Sequence, residues 1–204
     1  MNHPQASAIE VELKFPVANL GRVHDELLAM HAVEEPFEFH EDVYFRHPCR
    51  DFAATREALR IRRVLVSGPD PAARGEPRAE TRVTYKGPHL PGGIKARHEL
   101  EWSIESSDTD GKNFESLLRS LGFEPVAAVR KTRRTMSLLL QSRTVLVGLD
   151  DVESVGDYVE VETIAADESE VPVAREVVGK LAADLQLGEP VKQSYLSLLL
   201  SRTK

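Results

Sequence analysis

The chain has 204 residues with 26 Lys and Arg against 33 Asp and Glu, which gives a formal charge of −7. Its composition, 41% hydrophobic and 29% charged, is typical of a folded soluble domain and excludes a disordered chain. The acidic balance argues against a nucleic-acid partner, because affinity for nucleic acid depends largely on basic charge. We expect one domain spanning residues 1–204.

Cys49 is the only cysteine, so an internal disulfide and a multi-cysteine metal site are excluded. No apolar run approaches the ~20 residues of a membrane span, and the N-terminal residues lack the pattern of a signal peptide. We therefore expect a cytoplasmic protein in a reducing compartment that does not bind a membrane.

Alternation of apolar and polar residues predicts eight strands, at residues 9–15, 37–45, 58–66, 82–86, 95–104, 126–140, 144–152 and 158–164. Helical periodicity predicts four helices, at residues 20–31, 114–121, 173–187 and 194–200. Two breaks rich in Gly and Pro, at 67–79 and 87–93, separate neighbouring strands, and the first is interpreted as a long surface connection. This order of elements predicts an α+β fold whose antiparallel sheet closes, or nearly closes, into a barrel.

In most of these strands, the face opposite the apolar one carries charged side chains. For any single strand the usual interpretation is a solvent-exposed face. That interpretation explains the repeated same-sign pairs at i and i+2 less well, because such neighbours repel unless something binds them. Converging carboxylates suit a divalent cation and converging Arg and Lys side chains suit phosphates, so the pattern predicts a metal–polyphosphate site. The charged positions on this face are Glu10, Glu12, Lys14, Arg60, Arg62, Arg82, Lys86, Arg97, Glu99, Glu101, Glu160 and Glu162.

The basic run at 130–134 could form a nucleic-acid patch, but strand alternation places Lys131 and Arg133 on one face and their neighbours on the other. Because the whole chain is acidic, we favour the split face. Asp150 has two interpretations, an additional metal ligand or ordinary turn chemistry. His40, His47 and Cys49 are too few and too widely spaced for zinc, so a loop is favoured there. The sequence contains neither a Walker-type phosphate loop nor a Gly-x-Ser-x-Gly nucleophile elbow.

The segment from Glu10 to Lys14, Glu-Val-Glu-Leu-Lys, resembles the Glu-x-Glu-x-Lys signature of the CYTH, or triphosphate tunnel, superfamily. Further segments follow in that family's order: Ala-Leu-Arg-Ile-Arg at 58–62, Thr-Tyr-Lys-Gly at 84–87, His-Glu-Leu-Glu at 98–101, Arg-Lys-Thr-Arg at 130–133, and Leu-Asp-Asp-Val-Glu through Tyr-Val-Glu-Val-Glu at 149–162. Residues 42–62, with His-Pro-Cys-Arg-Asp-Phe at 47–52, most resemble the class IV adenylyl cyclase (CyaB-type) branch. The insertion at 67–79 is longer than that pattern, which leaves substrate choice open.

The resemblance implies an eight-stranded antiparallel closed barrel with helices outside, whose charged lumen holds a triphosphate and Mg²⁺ or Mn²⁺. By resemblance, the metal ligands would be Glu10, Glu12, Asp150, Glu160 and Glu162. The phosphate ligands would be Lys14, Arg60, Arg62, Lys86, Lys131 and Arg133. The catalytic set would be Glu10, Glu12, Lys14 and Lys86, with Glu99 and Glu101 as further lumen acids.

Three functions are compatible with such a tunnel. The class IV-like segment favours an adenylyl cyclase that converts ATP to cyclic AMP and pyrophosphate. The alternatives are a triphosphatase acting on inorganic triphosphate, thiamine triphosphate or a nucleoside triphosphate, and a non-catalytic nucleotide- or polyphosphate-binding module. The resemblance also implies a possible homodimer, with the apolar segment 195–200 either at the interface or packed as a helix outside the barrel.

Overall fold

The computed structural model describes residues 8–67, 78–91, 95–104 and 108–202. Its strands are β1 (Ala8–Pro16), β2 (Val33–Glu34), β3 (Glu38–Arg46), β4 (Ala58–Val66), β5 (Arg78–His89), β6 (Lys95–Ser103), β7 (Glu124–Leu140), β8 (Arg143–Val152) and β9 (Gly156–Ala165). Its helices are α1 (Leu20–Ala29), α2 (Phe52–Thr55), α3 (Lys112–Ser120), α4 (Val171–Asp184) and α5 (Tyr195–Arg202).

Eight strands close into an antiparallel barrel in the order β7-β3-β4-β5-β6-β1-β9-β8, with β8 pairing back onto β7. Closure depends on β7, whose 17 residues are long enough to pair with two neighbours. Residues 124–133 pair with β3, and residues 131–140 pair with β8. The predicted closed eight-stranded barrel is confirmed, while the short strand β2 and the one-turn helix α2 were not predicted.

The predicted strand at 82–86 is longer in the structure, where β5 runs to His89. The Gly87-Pro88 pair does not end the strand, because its register against β6 shifts between Lys86 and His89. Proline is tolerated at such irregularities, where a strand N–H is not required. Of the predicted connection at 67–79, residues 68–77 lie outside the described part of the chain.

The apolar face of the barrel points outward and is covered by helices. Val11, Val147 and Val161 pack in one cluster with Val178 and Leu181 of α4. Because helices bury this outer face, the charged face of the same strands is left to line the lumen. No helix among the described residues is both long enough and apolar enough to cross a membrane.

Candidate functional site: a charged tunnel

The lumen is a cavity of about 1200 Å³. Strand alternation directs the charged faces into it, so the predicted phosphate ligands and four of the five predicted metal carboxylates meet there. The lining includes Glu10, Glu12, Lys14, Arg60, Arg62, Lys86, Lys131, Arg133, Glu160 and Glu162, together with Glu99 and Glu101. Asp150 is the predicted residue that is absent from this lining.

One basic wall lies on β4 and is held by a carboxylate of β3. Arg62 donates from Nε to Asp42 Oδ1 at 2.6 Å and from Nη2 to Oδ2 at 2.7 Å. Arg60 donates from Nη1 to Asp42 Oδ2 at 3.2 Å. Burial opposes ionisation of Asp42, but Arg62 and Arg60 outweigh it and hold the pKa of this carboxyl far below its usual range. Both guanidinium groups are therefore fixed before any ligand binds.

A second basic wall lies on β7 and is held by Asp150 of β8. Lys131 Nζ lies 2.9 Å from Asp150 Oδ2, and Arg133 donates from Nε to Oδ1 and from Nη2 to Oδ2, both at 2.6 Å. Tyr195 donates its hydroxyl to the same Oδ2 at 2.8 Å. Asp150 is fully buried beneath these donors. In the structure Asp150 is thus the counter-ion of these donors, whereas the resemblance implied a metal ligand.

Glu160 also belongs to the basic side of the lumen. It accepts a hydrogen bond from Arg133, and its Oε1 lies 3.0 Å from Lys14 Nζ. Burial opposes ionisation of Glu160, yet Lys14, Lys131 and Arg133 keep its pKa well below the usual range. The pKa of Lys131 is lowered to about 8 by burial and by its neighbour Arg133.

Three carboxylates converge on the β1–β9 side of the tunnel. Glu10, Glu12 and Glu162 each offer an oxygen, and these oxygens lie within 4.8 Å of one another. The pKa of Glu162 is raised to about 8 by burial and by the charge of Glu10. Burial also raises the pKa of Glu10, although Lys86 opposes the shift. This excess of negative charge among oxygen donors fits a hard divalent cation.

Lysines on neighbouring strands border this acid cluster. Lys86 Nζ lies 2.6 Å from Glu10 Oε2 and 2.5 Å from Glu99 Oε2, and Lys95 Nζ lies 2.9 Å from Glu12 Oε1. Because Lys86 binds both Glu10 and Glu99, it connects the acid cluster to the neighbouring carboxylate of β6. Among the described residues, no Lys or Arg nitrogen forms an ion pair with Glu162.

Sequence reasoning missed three residues that shape the tunnel. Asp42 and His40 lie on the lumen face of β3, a strand whose charges were not part of the pattern. The loop that the sequence analysis favoured at His40 is therefore wrong. Tyr195 begins α5 and covers Lys14, whose Nζ lies 3.7 Å from the ring centroid. The segment 195–200 is thus a helix packed on the barrel, and through Tyr195 it also lines the cavity.

The model of the CYTH domain family matches residues 8–195. The chain belongs to the CYTH family. A Methanocaldococcus jannaschii protein named "Putative adenylate cyclase" is 30% identical over 192 residues, which cover 93% of this chain and 98% of that protein. The CYTH family is thus established for most of the chain, by sequence alone.

Solved structures show the same tunnel fold. A Pyrococcus horikoshii protein superposes with a TM-score of 0.79 at 35% identity, covering 94% of this chain and 98% of its own. A Hippeastrum protein described as a "putative adenylyl cyclase" with "a dominant" triphosphatase activity has a TM-score of 0.60 at 16% identity, with 95% of each chain covered. At that identity the likeness concerns the fold alone.

Proposed function

We propose that this CYTH protein is an enzyme that turns over a triphosphate in its tunnel with the help of a divalent metal ion. The observation that carries the proposal is the division of one cavity into an acid cluster on β1 and β9 and fixed cations on β4 and β7. A triphosphate with its metal ion presents the complementary charges. An acidic chain can bind such a polyanion because the cations are concentrated inside the tunnel.

Each side of the tunnel has a role in this proposal. Glu10, Glu12 and Glu162 would hold Mg²⁺ or Mn²⁺, which supplies Lewis-acid polarisation of a phosphoryl oxygen when bound. The phosphates would be bound by Lys14, Arg60, Arg62, Lys86, Lys131 and Arg133. Asp42, Asp150 and Glu160 hold these cations in place, so that stabilisation of the leaving phosphate needs little rearrangement.

The first candidate reaction is adenylyl cyclisation. It is favoured by the name of the 30% identical relative and by the class IV-like segment at 42–62. The ribose 3′-oxygen attacks the α-phosphorus, the bond from that phosphorus to the bridging oxygen breaks, and pyrophosphate leaves into the cation-lined wall. Lys14 and Lys86 neutralise the charge that moves onto the leaving group.

The second candidate is triphosphate hydrolysis, favoured by the activity in the Hippeastrum protein's description. Water attacks the terminal phosphorus, the bond from that phosphorus to the bridging oxygen breaks, and the remaining phosphate chain leaves with that electron pair while orthophosphate forms. The same cations and carboxylates are used. A non-catalytic binding module is the third candidate, and the acid cluster weighs against it because anion binding alone needs no converging carboxylates.

The test is to incubate the purified protein with ATP or inorganic triphosphate, each with Mg²⁺ and with Mn²⁺, and to separate the products by chromatography. Cyclic AMP with pyrophosphate supports cyclisation, and orthophosphate without cyclic AMP supports hydrolysis. Glu12→Gln should abolish either activity. Tight metal-dependent binding without turnover would overturn the enzymatic proposal in favour of a binding module.

A further inference from the structure

His40 is a buried imidazole that the tunnel chemistry described above does not use. It is 2% exposed and lines the cavity from β3. Its Nε2 lies 2.7 Å from Glu38 Oε2, whereas its Nδ1 is buried and has no hydrogen-bond partner among the described residues. An unsatisfied buried polar atom in a cavity is costly and points to a ligand.

The partner of Nε2 determines which ring nitrogen carries the proton. The hydrogen bond from His40 is the main cause that lowers the pKa of Glu38, so this side chain is a carboxylate and can only accept. Nε2 must therefore be the donor. In a neutral ring the proton is then on Nε2, and Nδ1 presents a bare lone pair.

The charged groups around His40 keep the ring neutral while the tunnel is empty. Lys131 is its direct partner in the β3–β7 register, and Arg62 on β4 and Arg133 on β7 also face it. Burial and Arg62 lower the pKa of His40 to about 3, although Glu38 opposes the shift. A bound triphosphate would compensate these cations and so make a proton on His40 less unfavourable.

The position of His40 in the barrel places it across from the acid cluster. β3 and β1 are four strands apart in either direction around the eight-stranded barrel, so they form opposite walls. The cation-bearing strands β4 and β7 are the two neighbours of β3. A phosphate bound by these cations would have His40 beside it and the carboxylates on its other side.

We propose that His40, oriented by Glu38, accepts the hydrogen bond and then the proton of the oxygen nucleophile that attacks the bound triphosphate. The O–H bond of the nucleophile breaks and its proton moves to Nδ1, while its electron pair forms the new bond to phosphorus. The bond from that phosphorus to the leaving phosphate breaks, and the leaving group takes that electron pair. The nucleophile is the water that attacks the terminal phosphorus in hydrolysis, because in cyclisation the pyrophosphate would leave toward the wall that bears His40.

The role of His40 rests on the proposed function, and steady-state kinetics test the two separately. His40→Asn keeps an acceptor but cannot take the proton, so kcat should fall about 10²- to 10⁴-fold with little change in KM. The rise of kcat with pH that reports a base in the wild type should disappear in this variant. Glu41→Gln is the matched control, since Glu41 is the next residue of β3 and binds Arg63 and Arg130 outside the cavity. Its kcat should equal that of the wild type.

Nitrogen NMR of histidine-labelled wild type provides a second readout that does not depend on turnover. The proton of His40 should be on Nε2, and a non-hydrolysable imidotriphosphate with Mg²⁺ should shift the Nδ1 resonance. If the wild type turns over neither ATP nor inorganic triphosphate, the proposed function fails. If the wild type is active, a kcat for His40→Asn within twofold of wild type, a change in KM alone, or a proton on Nδ1 in the free protein would overturn the role of His40 and leave the function intact.

Discussion

Asp42 and Asp150 act alike on two different strand pairs. Each is a buried carboxylate bound by two lumen cations, Arg60 and Arg62 in one case and Lys131 and Arg133 in the other. A charge pair removed from water is weak evidence for stability, but removal of one partner leaves the other uncompensated. These aspartates therefore stabilise the empty tunnel mainly because, without them, the buried lysine and arginine side chains would have no counter-ion.

Asp42→Asn should lower the free energy of unfolding by about 3–5 kcal/mol, because it leaves two buried guanidinium groups without a counter-ion. Inorganic triphosphate should restore part of this loss, since its phosphates replace the missing charge. Urea unfolding with and without triphosphate measures both effects. Glu41→Gln, on the outer face of the same strand, should cost less than about 1 kcal/mol. A cost for Asp42→Asn as small as that of the control would contradict the counter-ion role.

At the scale of the element, β1 and β9 together form the acid cluster. Their register pairs Glu12 with Glu162, and alternation places Glu10 on the same face. Glu12 has a lysine partner, Lys95, but Glu162 has none recorded among the described residues. The two glutamates should therefore respond differently to neutralisation although we propose that both hold the same ion.

Without metal, Glu12→Gln should lower the melting temperature, because Lys95 loses its partner. Glu162→Gln should leave it unchanged near pH 4 and raise it at pH 7 and above, since burial and Glu10 raise the folded pKa of Glu162 to about 8 and the wild type loses stability as pH rises from the unfolded value toward it. Both variants should lose the stabilisation by Mg²⁺ or Mn²⁺, which reaches about 2.7 kcal/mol at 100 times the dissociation constant. Scanning fluorimetry in EDTA and in each metal measures these shifts. Full metal stabilisation of Glu162→Gln would place the ion elsewhere.

At the scale of the whole molecule, the buried charges of the lumen make stability depend on pH from both sides. Burial lowers the pKa of His40 to about 3, and lysine and arginine partners lower that of Glu99 to about 2 in spite of burial. A group with a depressed pKa binds fewer protons folded than unfolded, so its contribution is lost as pH falls. Glu162 has a raised pKa, so its contribution is lost as pH rises toward 8.

In EDTA, the melting temperature should therefore change little between about pH 4.5 and 6.5, where the His40 and Glu162 contributions oppose each other, fall on acidification below about pH 4.5, and decline between pH 6.5 and 8. Excess Mg²⁺ should remove the decline on the alkaline side, because the ion compensates the three converging carboxylates. Melting curves between pH 2 and 8, with EDTA or Mg²⁺, test this profile. A melting temperature that is constant from pH 6.5 to 8 in EDTA would show that the acid cluster is not under electrostatic strain.

The sequence by itself separated the charged face of most barrel strands from the apolar face. A strand has a side-chain period of two, so the alternation around Glu10, Arg60 and Lys131 already separated the charged face from the apolar face. The same local periodicity predicted the eight barrel strands and the four longer helices. Such information is encoded between near neighbours in the chain and needs no knowledge of the fold.

Only the tertiary structure decided which of these charges meet. Barrel closure brings β8 against β7, and this pairing places Asp150 beneath Lys131 and Arg133 instead of beside Glu10. The path of the chain after β9 likewise carries Tyr195 onto Lys14, a contact between residues far apart in sequence. Alternation assigns a side chain to a face but not to a partner, because ion pairing depends on distances across the barrel that local periodicity does not contain.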